Sequence, residues 1–389
     1  MNLKFSLFLF FGFIFFGCTK DKTQMPVETE TIQIQFSDSV DAYCNSMITV
    51  NNQFLFIAGY NTSSNGNKDF MLMKIDLNGK LIWKKNYGTN TNNEICFSVK
   101  QISTGLLLIG KTSDPATLMD DMFLVKTDLD GNELWEKQTT TTASDEATDA
   151  IELPNGNLMV CGSSRAYDTG TRSVYWTLND ANDNLISVHH TGTGLEDGAT
   201  KIILNTNHLP VMLAWTDSGQ IGGRDFWMIA CNDTGGIRWQ KQLGNSGYEQ
   251  TAGICLMNDG GFFMTGHSAS FTEPEHDMYE LRTDSTGNMQ WQTHVGGMMH
   301  DGAEAALIAS NNHLLMLGRT MSFGNGGNDF FFTVSDDAGN ILSQETFGTA
   351  NEEEGTALAE ANGYYFLAGN ASTTSSLTHQ VYLVKVKAE

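Results

Sequence analysis

The sequence predicts an all-β protein, a seven-bladed β-propeller of four-stranded antiparallel blades, closed by pairing an N-terminal strand with the last three strands of the chain. Three observations predict it. A set of landmarks recurs at steps of 51 or 52 residues. Each repeat holds four short apolar runs separated by glycine and aspartate turns, the pattern of antiparallel hairpins. The last repeat stops one strand short, while one unassigned strand lies near the start. Composition agrees: 39 glycines, only 5 prolines and 10 % aromatic residues suit short strands joined by tight turns.

Four landmarks define the repeat. A glycine closes an apolar run at Gly59, Gly110, Gly162, Gly266, Gly318 and Gly369, with Ala214 in the fourth copy. A polar residue opens the next run at Asp69, Asp121, Ser173, Asp225, Asp277, Asp329 and Gln380. An Asp-x-x-Gly turn follows at Asp76/Gly79, Asp128/Gly131, Asp284/Gly287 and Asp336/Gly339, with Asp180/Asp183 in the third copy and Asp233, one residue nearer Gly235, in the fourth. A tryptophan stands four residues beyond the turn at Trp83, Trp135, Trp239 and Trp291, with Ser187 and Ser343 in the other two copies. In the second copy the four strands read as 95–102, 106–111, 122–127 and 133–139. Four strands in about 50 residues match a propeller blade. No segment after the leader carries a helical 3.6-residue apolar period.

The two ends supply the closure. The chain stops at Glu389 after the third strand of its last unit, and the run Thr31 to Phe36 precedes the first complete unit. An unpaired edge strand invites association. Zipping 31–36 onto the final three strands completes a seventh blade, so the propeller spans 31–389.

Residues 1–17 form a leader. Lys4 precedes the apolar run 5–16, which is too short to cross a bilayer and fits a secretory signal peptide. Residues 18–30 are polar, aperiodic and read as a flexible tether. Five cysteines follow in the ring (Cys44, Cys96, Cys161, Cys231 and Cys255), an odd number without a Cys-x-x-Cys pair, which points to small buried hydrophobes and away from zinc. The net charge of −23, with no cluster of Lys and Arg, excludes a nucleic-acid partner on electrostatic grounds.

Two resemblances follow from these residues. The segment 14–18, Ile-Phe-Phe-Gly-Cys, resembles the lipobox of bacterial lipoproteins, although Phe15 and Phe16 depart from its usual residues. The resemblance implies cleavage before Cys18, lipidation of that residue and a membrane attachment through the lipid alone. Lys20-Asp21 is similar to the export signals of surface lipoproteins in Bacteroidetes-type bacteria, which implies the outer membrane, with the cell surface favoured over the periplasmic face. The Asp-x-x-Gly-x-x-x-Trp repeat, with a glycine five residues later (Trp83 to Gly88, Trp239 to Gly244, Trp291 to Gly296), resembles propeller repeats of bacterial and archaeal surface proteins, and more distantly the docking motif of quinoprotein propellers. It implies that Trp83, Trp135, Trp239 and Trp291 wedge between neighbouring blades, with looser packing where Ser187 and Ser343 stand. It implies no common activity.

No phosphate loop, nucleophile elbow or His-Glu-x-x-His run is present, and the sequence calls for no cofactor and no metal. Acidic residues recur at the start of each first strand: Asp41, Glu94, Glu146, Asp197, Glu249, Asp301 and Glu354. They read as caps of their own loops, or else as a cation-attracting ring at the channel mouth. His267, Glu273, Glu275 and His276 bound one polar loop without a metal-ligand spacing, and the turn 128–133 lacks the oxygen run of a calcium loop. The segments joining second and third strands are the longest and most varied, and such loops on a repeat scaffold carry binding sites. Tyr60, Trp215, Arg224, His267 and Arg319 are the candidate contact residues, since aromatics and arginines dominate hot spots. The sequence thus predicts a monomeric, non-enzymatic binding or scaffold module for a protein or glycan. Its rivals are a propeller enzyme with paired carboxylates acting on carbohydrate and a structural surface component.

Overall fold

The computed structural model describes residues 31–388 except 37–40, 64–65, 90, 140–142, 167–169, 220, 272–274 and 373–377. The leader, the tether with Cys18, and Glu273 lie outside the described residues. Seven four-stranded antiparallel sheets follow one another in order, blade 1 over 42–87, then 93–139, 145–191, 197–243, 249–295 and 301–347. Blade 7 takes Glu353–Ala361, Tyr364–Ser372 and His379–Lys387 from the end of the chain and Ile32–Phe36 from its start. Ile32 pairs with Lys385 and Phe36 with Val381, so the N-terminal strand covers the edge that the last strand would otherwise expose. In blade 2 the observed strands run Asn93–Ile102, Gly105–Ser113, Asp120–Thr127 and Glu133–Thr139, longer at the loop end than the sequence reading.

The core is divided among the blade-to-blade contacts. Seven apolar clusters occupy them, for example Phe70 and Leu72 of blade 1 against Leu108 and Phe123 of blade 2. The last, between blades 7 and 1, joins Phe366 and Leu383 to Leu55 and Met73. Closure is therefore a packing event as well as a hydrogen-bonding one. Cys44, Cys96, Cys161 and Cys231 are buried free thiols in these layers, and burial pushes each up to about 12 or beyond, where it behaves as a small hydrophobe.

The glycine landmark does not close a strand. Gly59 lies in the middle of Phe54–Thr62, opposite a bulge in the first strand between Cys44 and Ser46. A Cβ there would sit 1.8 Å from the Tyr43 carbonyl oxygen, and Gly162, Gly266 and Gly318 meet the same obstacle. The glycine is needed because the bulge brings two backbones together. The register also shifts in blade 4, where Ala214 faces Ala199, so that blade opens enough for a methyl group.

The turns on the opposite face explain the other landmarks. In each, one side-chain oxygen accepts two backbone N–H bonds, as Asp284 does from Thr286 and Asn288 at 2.8 and 2.9 Å, while the fourth residue takes a positive φ, such as +79° at Gly287. In blade 4 the residue doing this is Asn232, bonded to the Thr234 and Gly236 N–H groups, and not Asp233. Three tryptophans lie over the turn glycine of the next blade: a Cβ on Gly131 would come within 2.6 Å of the Trp83 ring, and Gly287 and Gly339 stand likewise under Trp239 and Trp291, whereas the turn facing Trp135 has Asp183 in place of the glycine. The third-to-fourth contact is not loosened by Ser187. His189 covers Gly235 there and stacks on Trp176 at 5.5 Å, while the Trp176 indole N–H donates to the Gly235 carbonyl. Ile34 of the N-terminal strand covers Gly79 in the same way. Ser343 faces blade 7, whose neighbouring strands His379–Lys387 and Ile32–Phe36 come from opposite ends of the propeller and are not joined by such a turn.

Candidate functional site

The bulges organise the channel. In each first strand the bulge projects one extra side chain inward: Asn45, Phe97, Thr148, Thr200, Ala252, Glu304 and Thr356. Several of these bridge to the next blade. Asn45 donates to the Cys96 carbonyl at 2.8 Å, Thr148 to that of Ala199 at 3.0 Å, and Thr356 to that of Cys44 at 2.8 Å. Below this belt a cavity of about 170 Å³ holds Lys100, Asp149, Lys201 and Glu304. Above it the channel opens on the loop face into a pocket of about 400 Å³ lined by Glu146, Arg172, Lys201, Trp215, Arg224, Gln250 and Glu304, among others. That volume is within the about 300–1,000 Å³ of small-molecule sites.

The structure gathers the sequence candidates at this mouth by repeat position. Tyr60, Trp215, His267 and Arg319 each follow the bulge-facing glycine or its alanine substitute, opposite Tyr43, Gly198, Gln250 and Gly302. Arg224 precedes the polar opener of its third strand, as Lys68, Arg172 and His276 do in theirs. The Arg224 guanidinium lies 3.8 Å above the Trp215 ring and 5.1 Å from that of Tyr248, held by Asp217 at 2.7 Å and by the Gln250 side-chain oxygen at 2.9 Å. Trp215 can lie flat because its cross-strand partner is glycine: a Cβ on Gly198 would meet the indole at 2.8 Å. Tyr60 stacks on Tyr43 at 4.6 Å, and Tyr43 on His379 at 4.5 Å. These aromatic faces are occupied, so among the described residues the mouth offers no bare aromatic platform. Its rim carries Tyr248 and Phe271, both exposed.

Blades 5 to 7 contribute titratable groups. Arg319 donates to Glu354 and lies 3.9 Å from Glu304. Burial first, and the Glu354 charge second, push the Glu304 carboxyl up to about 7 against the opposing pull of Arg319 and Lys201. His267, His276 and His300 form a row with ring centres 5.4 and 5.5 Å apart, and burial, then the neighbouring cations, push His267 down to about 3. His300 contacts Glu275 at 2.8 Å. Among the described residues no group of three or more His, Cys, Asp or Glu side chains is arranged to hold a metal ion.

The proposed acidic ring is corrected in register and in place. The equivalent positions, two residues before the bulge partner, are Ala42, Glu94, Asp145, Asp197, Glu249, Asp301 and Glu353. Asp41, Glu146 and Glu354 fall one residue off this ring, which places Glu146 at the mouth pocket and Glu354 on Arg319. The ring acids are buried at the loop ends, where Asp197 accepts from the Thr193 N–H at 2.7 Å, Glu249 from Asn245 at 3.1 Å, Asp301 from Gly297 at 2.7 Å and Glu353 from Thr349 at 2.9 Å. They cap loops and do not surround the channel. Facing them are the openers: Asp225 and Glu249 lie 2.4 and 2.8 Å from where a Cβ on Gly244 would stand, and burial, with Glu249 adding to it, pushes Asp225 up to about 6.

The sequence reading missed Lys201, Glu304, Gln250 and Arg172. Arg172 and Gln250 hold the repeat positions of Arg224 and Glu146, so counting those positions through the copies would have found these two.

No family model matches the chain, and no curated protein matches it. Among solved structures, the polysaccharide lyase Uly1 superposes with a TM-score of 0.56 at 9 % identity, over 91 % of this chain and 92 % of the lyase. The WD40 domain of Neurospora crassa Pan2 gives 0.56 at 11 % identity, over 90 % and 91 %. A puromycin hydrolase gives 0.54 at 12 % identity, over 88 % of this chain and 55 % of the hydrolase. At such identities the likeness is one of fold: a propeller shared by proteins of different activities.

Proposed function

We propose that the chain is an extracytoplasmic, lipid-anchored binding module that takes a saccharide in the pocket at the channel mouth. The observation that carries this reading is a concave polar pocket walled by Trp215 under Arg224, with Gln250, Arg172 and Glu146 offering hydrogen-bonding groups around it. A few convergent polar groups in such a pocket fix the orientation of small polar ligands. The N-terminal strand enters the blade at Ile32, on the turn face opposite the pocket. A lipid on Cys18, joined through the flexible tether, would therefore leave the pocket free to face away from the membrane.

Glycan-array screening followed by calorimetry tests the site. Arg224→Ala and Gln250→Ala should each weaken a detected glycan about tenfold, with little change in melting temperature. Unchanged affinity in both variants would remove the pocket from the proposal. Palmitate labelling should be lost in Cys18→Ser, and labelling that persists would reject the anchor.

Glu304 and Glu354, both against Arg319, favour a second reading in which the same mouth acts on a glycosidic bond. A carboxyl with its pKa near 7 suits general acid–base work. Cleavage of polysaccharide that stops in Glu304→Gln would replace the binding reading with this one.

A further inference from the structure

Lys201, on the first strand of blade 4 (Asp197–Leu204), lines both the mouth pocket and the cavity beneath it, so its ammonium stands at the pocket floor. Four other cations around this opening are matched by carboxylates, while the Lys68 ammonium stands 4.8 Å over the Tyr60 ring. Arg172 lies 3.2 Å from Glu146, Arg224 is held by Asp217, Arg319 by Glu354, and Lys111 lies 2.8 Å from Asp120. Lys100 pairs with Asp149 at 3.0 Å. That carboxylate also accepts from the Ser98 hydroxyl at 2.8 Å and the Ile202 N–H at 3.0 Å, which leaves it little capacity for another donor. Among the described residues no carboxylate comes within ion-pair distance of Lys201. Burial lowers its pKa, with Asp149 acting against that shift. Lys201 is half-buried at the opening, and a partly desolvated ammonium without a carboxylate partner is relieved by an anion. Glu304 lines the same cavity and mouth pocket, 3.9 Å from Arg319.

Resting on the reading of the mouth as a saccharide site, we infer that its ligand is an acidic sugar whose anionic group, a carboxylate or a sulfate, sits on the Lys201 ammonium at the pocket floor. The sugar ring would then lie above the floor, between Gln250 and the Trp215–Arg224 wall. Neutral sugars would leave the ammonium uncompensated and bind more weakly.

Calorimetry on the intact chain with galacturonate, galactose 6-sulfate and galactose tests this. The wild-type protein should bind one or both acidic sugars about tenfold more tightly than galactose. Whichever acidic sugar binds more tightly names the anionic group. The preference should weaken as sodium chloride is raised, while galactose binding stays level. Lys201→Met should abolish the preference and keep the weaker galactose binding, and Lys201→Arg should retain it. Equal affinity for acidic and neutral sugars, or a preference that survives Lys201→Met, would overturn the inference and leave the saccharide site standing. No binding of any of the three, or binding indifferent to Arg224→Ala, would reject the site and the inference together. The salt titration on the wild-type protein decides the matter even where a variant fails to fold.

Discussion

The two faces of the ring treat the repeat in opposite ways. On the turn face, Asp76, Asp128, Asp180, Asn232, Asp284 and Asp336 each hold the same pair of backbone N–H groups two and four residues on. The side chain that covers the next turn is a tryptophan in three of the contacts, and His189 or Ile34 in two others. At the mouth, the residue after the bulge-facing glycine changes from blade to blade: Tyr60, Lys111, Ser163, Trp215, His267, Arg319 and Asn370. The backbone is the same at both ends of each blade. The difference is that the turn face repeats one contact toward each neighbouring blade, whereas the mouth positions differ in residue and in contact, from the Arg319–Glu354 pair to Asn370 accepting from the Cys44 N–H of the next blade. Stability is repeated and recognition is not, which is how repeat scaffolds carry sites.

Breaking the ring should have the largest effect. Removal of residues 1–36 exposes the edge of His379–Lys387 and takes Ile34 off Gly79. The truncated chain should unfold or associate on size exclusion, with a lower melting temperature than any single substitution. A monomer as stable as the full chain would show that blade 7 needs only three strands.

Next comes a paired substitution across the two faces. Trp83→Ala removes the ring over Gly131 and its edge contact with Phe56 at 5.9 Å, and should cost about 2–4 kcal/mol in denaturant unfolding. Arg319→Ala at the mouth should stay within about 0.5 kcal/mol. Equal costs would erase the division between the faces.

One structural position breaks the rule and sharpens it. Glu280 occupies the place held by Leu72, Leu124, Trp176, Met228, Phe332 and Leu383 in the other blades, fully buried. Its contacts with the Ser335 hydroxyl are long, at 3.4 and 3.5 Å, and burial pushes its carboxyl up to about 8. The folded state therefore holds a proton that the unfolded state releases above the ordinary glutamate range. Stability is largest below that range and falls as pH rises toward 8. Glu280→Leu should gain about 2 kcal/mol at pH 8, with a smaller gain at pH 5, in melts at the two pH values. A pH-independent difference would contradict the buried-acid account.

A smaller effect on stability than that of Glu280→Leu should come from Gly198→Ala, whose methyl would collide with Trp215 and tilt it. The expected cost is below about 1 kcal/mol, with a shifted tryptophan emission. A silent emission spectrum would mean that the indole has room to spare.

Most of the fold was legible because the landmarks mark backbone necessities. Gly59 and its equivalents face a bulge, Gly131 and Gly287 take positive φ under a tryptophan, and the missing last strand is supplied by 32–36. The exceptions came from substitutes that keep the physics with other residues, as Asn232 does for aspartate and His189 with Trp176 for tryptophan. The site was legible only in part. Trp215 and Arg224 were chosen for their chemistry and do line the pocket. Lys201 and Glu304 looked ordinary in sequence, because only the bulge register reveals that they turn into the channel. Glu146 and Glu354 were assigned to a ring one residue away from their places, since period-two strands send neighbouring residues to opposite sides.

Hydrogen–deuterium exchange with and without galacturonate is the most direct test of the claim that the variable mouth is the binding face. Slower exchange at the Trp215 end of Pro210–Thr216, across Arg224 and through Gln250 is the predicted result. Slowing confined to the turn face, around 76–80, 128–132 or 284–288, would contradict it.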